Sequence, residues 1–258
     1  MKKILLTFAF LVLPFWFSGC ANVYNPATGK QEPVFTPSKN EEISGQKISK
    51  SVEKKFKSVD NFRLQEKIQA IGQKIASASD RQDITYHFEI LDEKEVNAFA
   101  LPGGYIYVFK GLIDKTDSDD EIAGVLAHEI GHVTARHIAK RIRGSMGLNA
   151  LAILMTTVQS DSATKQQAYK GLVELVLQYS REDELEADKL AVKYTRLAGF
   201  DPKAIVTFLE KLRKIQYEKP IERAHIYKTH PYLADRIKNV KEEINGVIDF
   251  KDYINAVR

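Results

Sequence analysis

Apolar and polar residues follow each other with the period of an α-helix over most of this chain. The spacing predicts helices over residues 39–57, 61–78, 118–143, 164–198, 202–217 and 232–245. Two shorter stretches, residues 84–91 and 104–110, are rich in aromatic and β-branched residues and predict strands. The pattern therefore predicts an α+β fold that is mostly helical and contains a small sheet.

Turn residues and chain length indicate one domain beyond the N-terminal region. Gly199 and Pro202 stand between two predicted helices, as a glycine after a helix end and a proline at a helix start do. Residues 41–258 contain no evident internal repeat and are numerous enough to enclose a substantial core. The sequence predicts a single domain over this range.

A His-Glu-Ile-Gly-His sequence gives the first indication of chemistry. Ser118 and Glu121 predict an N-cap and a capping box upstream, so the motif lies inside the helix that they start. His128 and His132 would share a helix face and bind one metal ion, while Glu129 beside them would reach a water bound there. Zn²⁺ is the ion that suits this pair. A pattern this short also arises by chance on exposed helices.

A hydrolytic zinc site usually needs a third protein ligand and an open position for water. The best candidate lies in the acidic run Ser-Arg-Glu-Asp-Glu-Leu-Glu-Ala-Asp, where Glu184 and Asp188 are four residues apart and share a helix face. Glu184 would bind the metal, and Asp188 would accept a hydrogen bond from a ligand histidine and fix its tautomer. By itself, such an acidic turn is more typical of a solvated helix face.

The sequence resembles family forty-eight of the metallopeptidases, which includes the CAAX prenyl proteases and the heat-shock HtpX proteases. The matching segments are HEIGH, SREDELEAD, LAGFDP and THPYLADR, and the resemblance covers roughly residues 22–240. It implies a zincin-like fold of the gluzincin type, with a small β-sheet beside the motif helix. It also implies that His128, His132 and Glu184 bind one zinc ion per chain and that Glu129 is the general base.

The segment Asn-Ala-Phe-Ala-Leu-Pro-Gly-Gly precedes the second predicted strand, and its Pro-Gly-Gly end predicts a turn. The residues alone are compatible with a simple hairpin in the core. The resemblance implies that this segment flanks the active-site cleft near a sheet edge, where an extended substrate would pair by strand addition. The candidate substrate-binding residues are Asn97, Ala98, Phe99, Ala100, Gly103 and Gly104.

His230 precedes Pro231, so it belongs to an extended or turn segment before the last predicted helix. A surface histidine is the simplest interpretation of those residues alone. The resemblance implies that this segment faces the zinc, where His230 would stabilise the oxyanion or occupy the open zinc position in a resting state. It further implies that Arg236 pairs with an acidic residue such as Asp188.

The other histidines show no spacing that suggests chemistry. His137 lies five residues after His132, about 140° further round an ideal helix, and is predicted to be structural. His87 falls in a predicted strand and His225 in a charged connection.

The N-terminus has the features of a bacterial lipoprotein signal peptide. A basic start precedes an apolar stretch that is shorter than a membrane span, and a Phe-Ser-Gly-Cys sequence then resembles a lipobox, with Phe17 where leucine is usual. We expect a signal peptide at residues 1–19, a lipid on Cys20, the only cysteine, and a tether over residues 20–40. Ala21, in place of aspartate, predicts sorting to the outer membrane of a bacterium with two membranes.

Residues 146–158 are apolar but fewer than the roughly 20 that a spanning helix needs. A core helix is the simplest interpretation, and the alternatives are a lid over the cleft or a face that meets a membrane or a partner. The formal net charge is only +4 at pH 7, which gives no indication of nucleic-acid binding.

Together with the resemblance, these features predict a zinc endopeptidase, anchored at the periplasmic face of a bacterial envelope, that cuts misfolded or misassembled envelope proteins. An alternative from another class is a chaperone or assembly factor for outer-membrane proteins, with proteolysis secondary or tightly repressed. A structural zinc site is a third alternative, because His230 as a permanent fourth ligand would close the coordination sphere.

Overall fold

The computed structural model describes residues 22–33, 38–145, 179–218 and 229–245. Its helices are α1 Ser38–Lys55, α2 Phe62–Ala78, α3 Lys110–Ile113, α4 Asp119–Thr134, α5 His137–Ser145, α6 Arg181–Leu197, α7 Lys203–Glu218 and α8 Leu233–Asn245. Its strands are β1 Asn22–Asn25, β2 Lys30–Pro33, β3 His87–Leu91, β4 Ala98–Leu101 and β5 Tyr105–Phe109. The expected α+β, mostly helical fold is confirmed. The predicted signal peptide, Cys20 and residues 146–158 lie outside the described ranges.

The chain forms a three-stranded sheet with the order β3-β5-β4, in which β5 runs parallel to β3 and antiparallel to β4. β4 was not among the strands predicted from composition, and it occupies one edge of the sheet. A 3-10 turn at Pro-Gly-Gly joins β4 to β5, and both of its glycines have positive φ, 77° at Gly103 and 91° at Gly104. A side chain on Gly103 would collide with the backbone of α1, so the turn fixes the sheet against that helix.

The N-terminal segment predicted as a tether contains regular structure. β1 and β2 pair antiparallel to form a hairpin, with Val23 opposite Glu32. None of the helices in the described residues combines the length and the apolar character that crossing a bilayer requires.

Helix α4 begins as expected and ends earlier than expected. The Ser118 hydroxyl accepts a hydrogen bond from the Glu121 amide, while the Glu121 carboxylate accepts one from the amide of Asp117. The predicted single helix over residues 118–143 is wrong, because Arg136 adopts a φ of 59° and separates α4 from α5. The Arg136 guanidinium compensates for this unfavourable backbone by contacting Glu41 of α1 at 3.2 Å.

Close packing of α4 against α6 brings the histidine motif of α4 next to the acidic motif of α6. Gly131 permits it, because a Cβ there would lie 2.9 Å from the carbonyl oxygen of Ala187. Helix α6 starts at Arg181, after a complete capping box formed by Ser180 and Asp183, so the predicted single helix over residues 164–198 is wrong. The fully buried Leu126 and Ile130 extend the apolar core along α4. A buried core therefore packs around the helix that carries the motif.

Candidate metal centre and active site

Four side chains from three parts of the fold point donor atoms at one place. His128 and His132 come from α4, Glu184 from the first turn of α6, and His230 from the segment before α8. The His132 Nε2 atom lies 3.0 Å from His128 Nε2 and 3.4 Å from Glu184 Oε1. The His230 Nδ1 atom lies 3.3 Å from His128 Nε2 and 3.1 Å from Glu184 Oε1.

These spacings fit a metal ion. Zinc bonds of about 2.0–2.1 Å in a tetrahedron place the donor atoms about 3.3 Å apart, close to the separations observed between them. Imidazole nitrogens and a carboxylate oxygen are donors that zinc accepts. All four residues are buried. Buried acceptor atoms that face one another need a shared cation or hydrogen-bond donors between them. The buried His-His-Glu-His group can therefore hold a metal ion.

The His128 ring is held by a buried ion-pair network. Its Nδ1 atom lies 2.8 Å from Asp188 Oδ1, and Arg236 meets Asp188 through two nitrogens at 2.7 and 2.8 Å. Arg236 also contacts Glu184, Nη1 to Oε2, at 2.9 Å. Burial opposes ionisation of both carboxyls, but the charges of Arg236 and the nearby histidines outweigh it and lower the pKa of Asp188 and, further, that of Glu184. Both therefore stay ionised and available.

Glu129 lies beside the donor cluster without belonging to it. Glu129 is only 2% exposed. Its Oε1 atom lies 3.6 Å from His230 Nε2, and its Oε2 atom has no hydrogen-bond partner among the described residues. Burial raises the pKa of its carboxyl above the usual range. A carboxylate with one open oxygen beside a metal-binding group can accept a proton from a water held there.

The residues expected to bind substrate lie in three different surroundings. Ala98, at the start of β4, lies next to the cluster, with its carbonyl oxygen 3.4 Å from His230 Nε2, and Asn97 is bonded to Thr229. Phe99 and Ala100 are buried in the sheet. Gly103 and Gly104 pack instead against α1 and the residues before β3, as a close-packed turn does.

Two further residues contact the candidate ligand His132. The Tyr179 ring stacks on His132, with centroids 3.6 Å apart, and burial raises the pKa of its hydroxyl well above 10. His137 was expected to be structural, and its Nδ1 atom lies 2.8 Å from Nδ1 of His132. Tyr179 gave no signal beyond its place before the N-cap Ser180. His137 is not among the four donor residues, and it approaches His132 because the helix breaks at Arg136.

Comparison with known proteins agrees with this geometry. The chain is 29% identical over 193 residues to the beta-barrel assembly-enhancing protease of Escherichia coli (strain K12), covering 70% of this chain and 39% of that protein. It is 27% identical over 189 residues to the metalloprotease LoiP of the same strain, covering 72% of this chain and 73% of LoiP. It is also 37% identical over 141 residues to the mitochondrial metalloendopeptidase OMA1 of Arabidopsis thaliana, covering 54% of this chain and 28% of OMA1.

The chain thus spans about two-fifths of the length of the beta-barrel assembly-enhancing proteases that it matches. The family model described as peptidase family M48 matches residues 63–244, a range that includes all four donor residues and Glu129. This chain belongs to peptidase family M48.

Proposed function

We propose that this protein is a zinc-dependent endopeptidase that hydrolyses peptide bonds in proteins of the bacterial envelope. The observation that supports it most directly is the convergence of buried donor atoms from His128, His132, Glu184 and His230 beside the open oxygen of Glu129. Membership of a peptidase family supports the same reaction. Zinc is the proposed ion, since the donors are nitrogen and oxygen atoms at tetrahedral spacing.

The protein's own residues would perform the proton transfers. When bound, zinc supplies a Lewis acid that polarises the peptide carbonyl and makes water more acidic. Glu129 takes the proton from the attacking water and returns it to the leaving amine. Its pKa, raised by burial, helps it to hold the proton between those two steps. Asp188, hydrogen-bonded to His128, and Arg236 keep that ligand oriented, and the reaction needs no covalent intermediate on the protein.

His230 would control access to the metal. Its Nδ1 atom stands where a fourth ligand would be, and its Nε2 atom lies nearer Glu129 and the Ala98 carbonyl. We infer that His230 fills the fourth position at rest and leaves it for hydrolysis. Replacing His230 with Ala should then speed the cleavage of a short peptide. Cleavage slowed about 100-fold or more would instead assign His230 to the oxyanion.

The position of His230 also supports the second candidate function, a chaperone or assembly factor whose proteolysis is tightly repressed. A filled fourth position would let the cleft hold an extended segment beside the edge strand β4 without cutting it. The two functions differ in whether the cellular role depends on Glu129. A strain carrying Glu129→Gln that behaves as wild type would favour the chaperone.

The same substitution tests the peptidase directly. Glu129→Gln keeps the shape of the side chain and removes the base, so cleavage of an unfolded protein should fall about 100-fold or more while zinc stays bound. Glu182→Gln, at an exposed position in the first turn of α6, is the matched control and should cleave normally. Zinc content is measured by atomic emission on the same samples. Undiminished cleavage by zinc-loaded Glu129→Gln would refute the assignment.

The proposed location rests on the N-terminal sequence. We infer that residues 1–19 are removed as a signal peptide, that Cys20 carries the lipid and that residues 20–40 tether a single domain, residues 41–258, at the periplasmic face of the outer membrane. Cys20→Ala should move the protein from the membrane fraction to the soluble fraction. An unchanged distribution would exclude a lipid anchor at that residue. Proteomic comparison of envelopes from wild-type and Glu129→Gln cells would then reveal the substrates.

A further inference from the structure

A metal-binding histidine is usually oriented by a hydrogen bond from its second ring nitrogen. For His128 that partner is Asp188, as described above. For His132 the partner is another histidine, because His132 Nδ1 lies 2.8 Å from His137 Nδ1. His137 in turn directs its Nε2 atom to Glu186 Oε2 at 3.0 Å, with Asp183 further away at 3.5 Å. Three residues thus form a continuous chain that leads away from the metal centre.

If His132 binds the metal through Nε2, only one arrangement of protons along this chain pairs every hydrogen-bond donor with an acceptor. Nδ1 of His132 then carries the proton and donates it to Nδ1 of His137. His137 is left with its proton on Nε2, which donates to the Glu186 carboxylate. Each donor meets one acceptor, and the carboxylate at the end accepts. The arrangement holds the His132 tautomer that leaves Nε2 free for the metal.

The backbone is shaped to make this contact. In an uninterrupted helix His137 would lie about 140° away from His132. The positive φ of Arg136 ends α4 and restarts the chain as α5 with His137 at its first position. Glu41 and Ser38 of α1 hold the Arg136 guanidinium at 3.2 Å each. His137 itself is 3% exposed, so its ring is enclosed at the position where it meets His132.

We propose that His137 and Glu186 are positioning residues for the metal ligand His132, fixing its tautomer and ring orientation through a His132–His137–Glu186 hydrogen-bond chain. The proposal rests on the proposed zinc site and adds residues that the sequence motif does not contain. His137 acts directly on the ligand, and Glu186 acts through His137. Removing His137 should therefore weaken metal binding more than removing Glu186.

The test measures zinc affinity of the full-length chain in detergent by competition with a chelating dye. His137→Phe, which keeps a ring and removes both nitrogens, should raise the zinc Kd about 10- to 100-fold. His137→Gln, which can still accept from His132 and donate to Glu186, should recover part of that loss, and Glu186→Ala should raise the Kd less than His137→Phe. His87→Phe is the matched control, since His87 lies on the sheet and stacks on Tyr105. It should bind zinc as wild type does.

A second measurement separates positioning from general damage to the fold. The metal-free forms of wild type and His137→Gln should unfold at similar temperatures, while the visible spectrum of the Co²⁺-loaded protein should change for His137→Phe and Glu186→Ala because ligand geometry changes. Zinc affinity and Co²⁺ spectra unchanged in both variants would overturn the inference and leave the proposed function intact. A wild-type chain without zinc affinity would overturn the proposed function itself.

Discussion

The two histidines of the motif sit on one helix and are held by very different surroundings. His128 is oriented by Asp188, which is 0% exposed and pairs with the buried Arg236. His132 is oriented by His137, then by Glu186, whose side chain is 24% exposed, and finally by Lys30, whose side chain is 69% exposed. One side of the site balances its charges inside the core. The other reaches water within three contacts.

This contrast predicts how strongly each residue matters. Removing one partner of a buried ion pair leaves a charge without solvent or counter-charge, which is expensive. An exposed ion pair is replaced by water almost without loss. Substitutions on the His128 side should therefore destabilise the whole fold. Those on the His132 side should mainly weaken metal binding, and their effects should become smaller toward Lys30.

Arg236→Met should have the largest effect. It leaves Asp188 and Glu184 buried without their cation, so we expect the free energy of unfolding to fall by about 3–5 kcal/mol, measured by urea denaturation of the metal-free protein. Arg181→Met is the matched control, because Arg181 pairs with Asp235 where both side chains are more than 40% exposed. It should lower the free energy of unfolding far less than Arg236→Met does, because water solvates both charges of an exposed pair. Equal losses in the two variants would contradict the contrast between a buried and an exposed network.

Most residues of the His128 side could be predicted from the sequence. The four-residue spacings of His128 with His132 and of Glu184 with Asp188 each place two side chains on one helix face, and helix geometry is local. The family resemblance implied that Arg236 pairs with an acid such as Asp188, and the structure brings those two together. Most helix and strand positions followed the same local pattern. The exceptions are β4, which was not predicted, and the interruptions at Arg136 and Ser180 of two helices that were predicted to be continuous.

The His132 side could not be predicted, because it depends on contacts between distant segments. The break at Arg136 has no glycine or proline to announce it, and it is held by Glu41, almost a hundred residues earlier in the chain. Glu186 lies two residues after Glu184, on another face of α6, and reaches His137 only because α5 starts where it does. Local periodicity contains no information about such a turn.

Removal of the metal should have the next largest effect and should sharpen the contrast. With free zinc at about 100 times its Kd, binding adds about 2.7 kcal/mol to the free energy of unfolding, and a chelator removes that amount. At the same zinc concentration, a tenfold weaker Kd in His137→Phe would reduce this contribution by about 1.4 kcal/mol. Urea denaturation with and without chelator measures both differences. A chelator effect as large in His137→Phe as in wild type would mean that the chain from His132 to Glu186 does not support the metal.

Lys30→Ala should have the smallest effect. Lys30 contacts Glu186 at 3.2 Å from the β1–β2 hairpin, but its exposed ammonium competes with water and salt. We expect the zinc Kd to change less than about threefold and the free energy of unfolding by less than about 1 kcal/mol, since Glu186 keeps its bond to His137. Lys67→Ala, which removes the same charge from an exposed pair with Asp119, is the control. A loss of zinc affinity equal to that of Glu186→Ala, and insensitive to added salt, would show that the hairpin supports the metal site directly. The prediction that effects become smaller toward the surface would then be wrong.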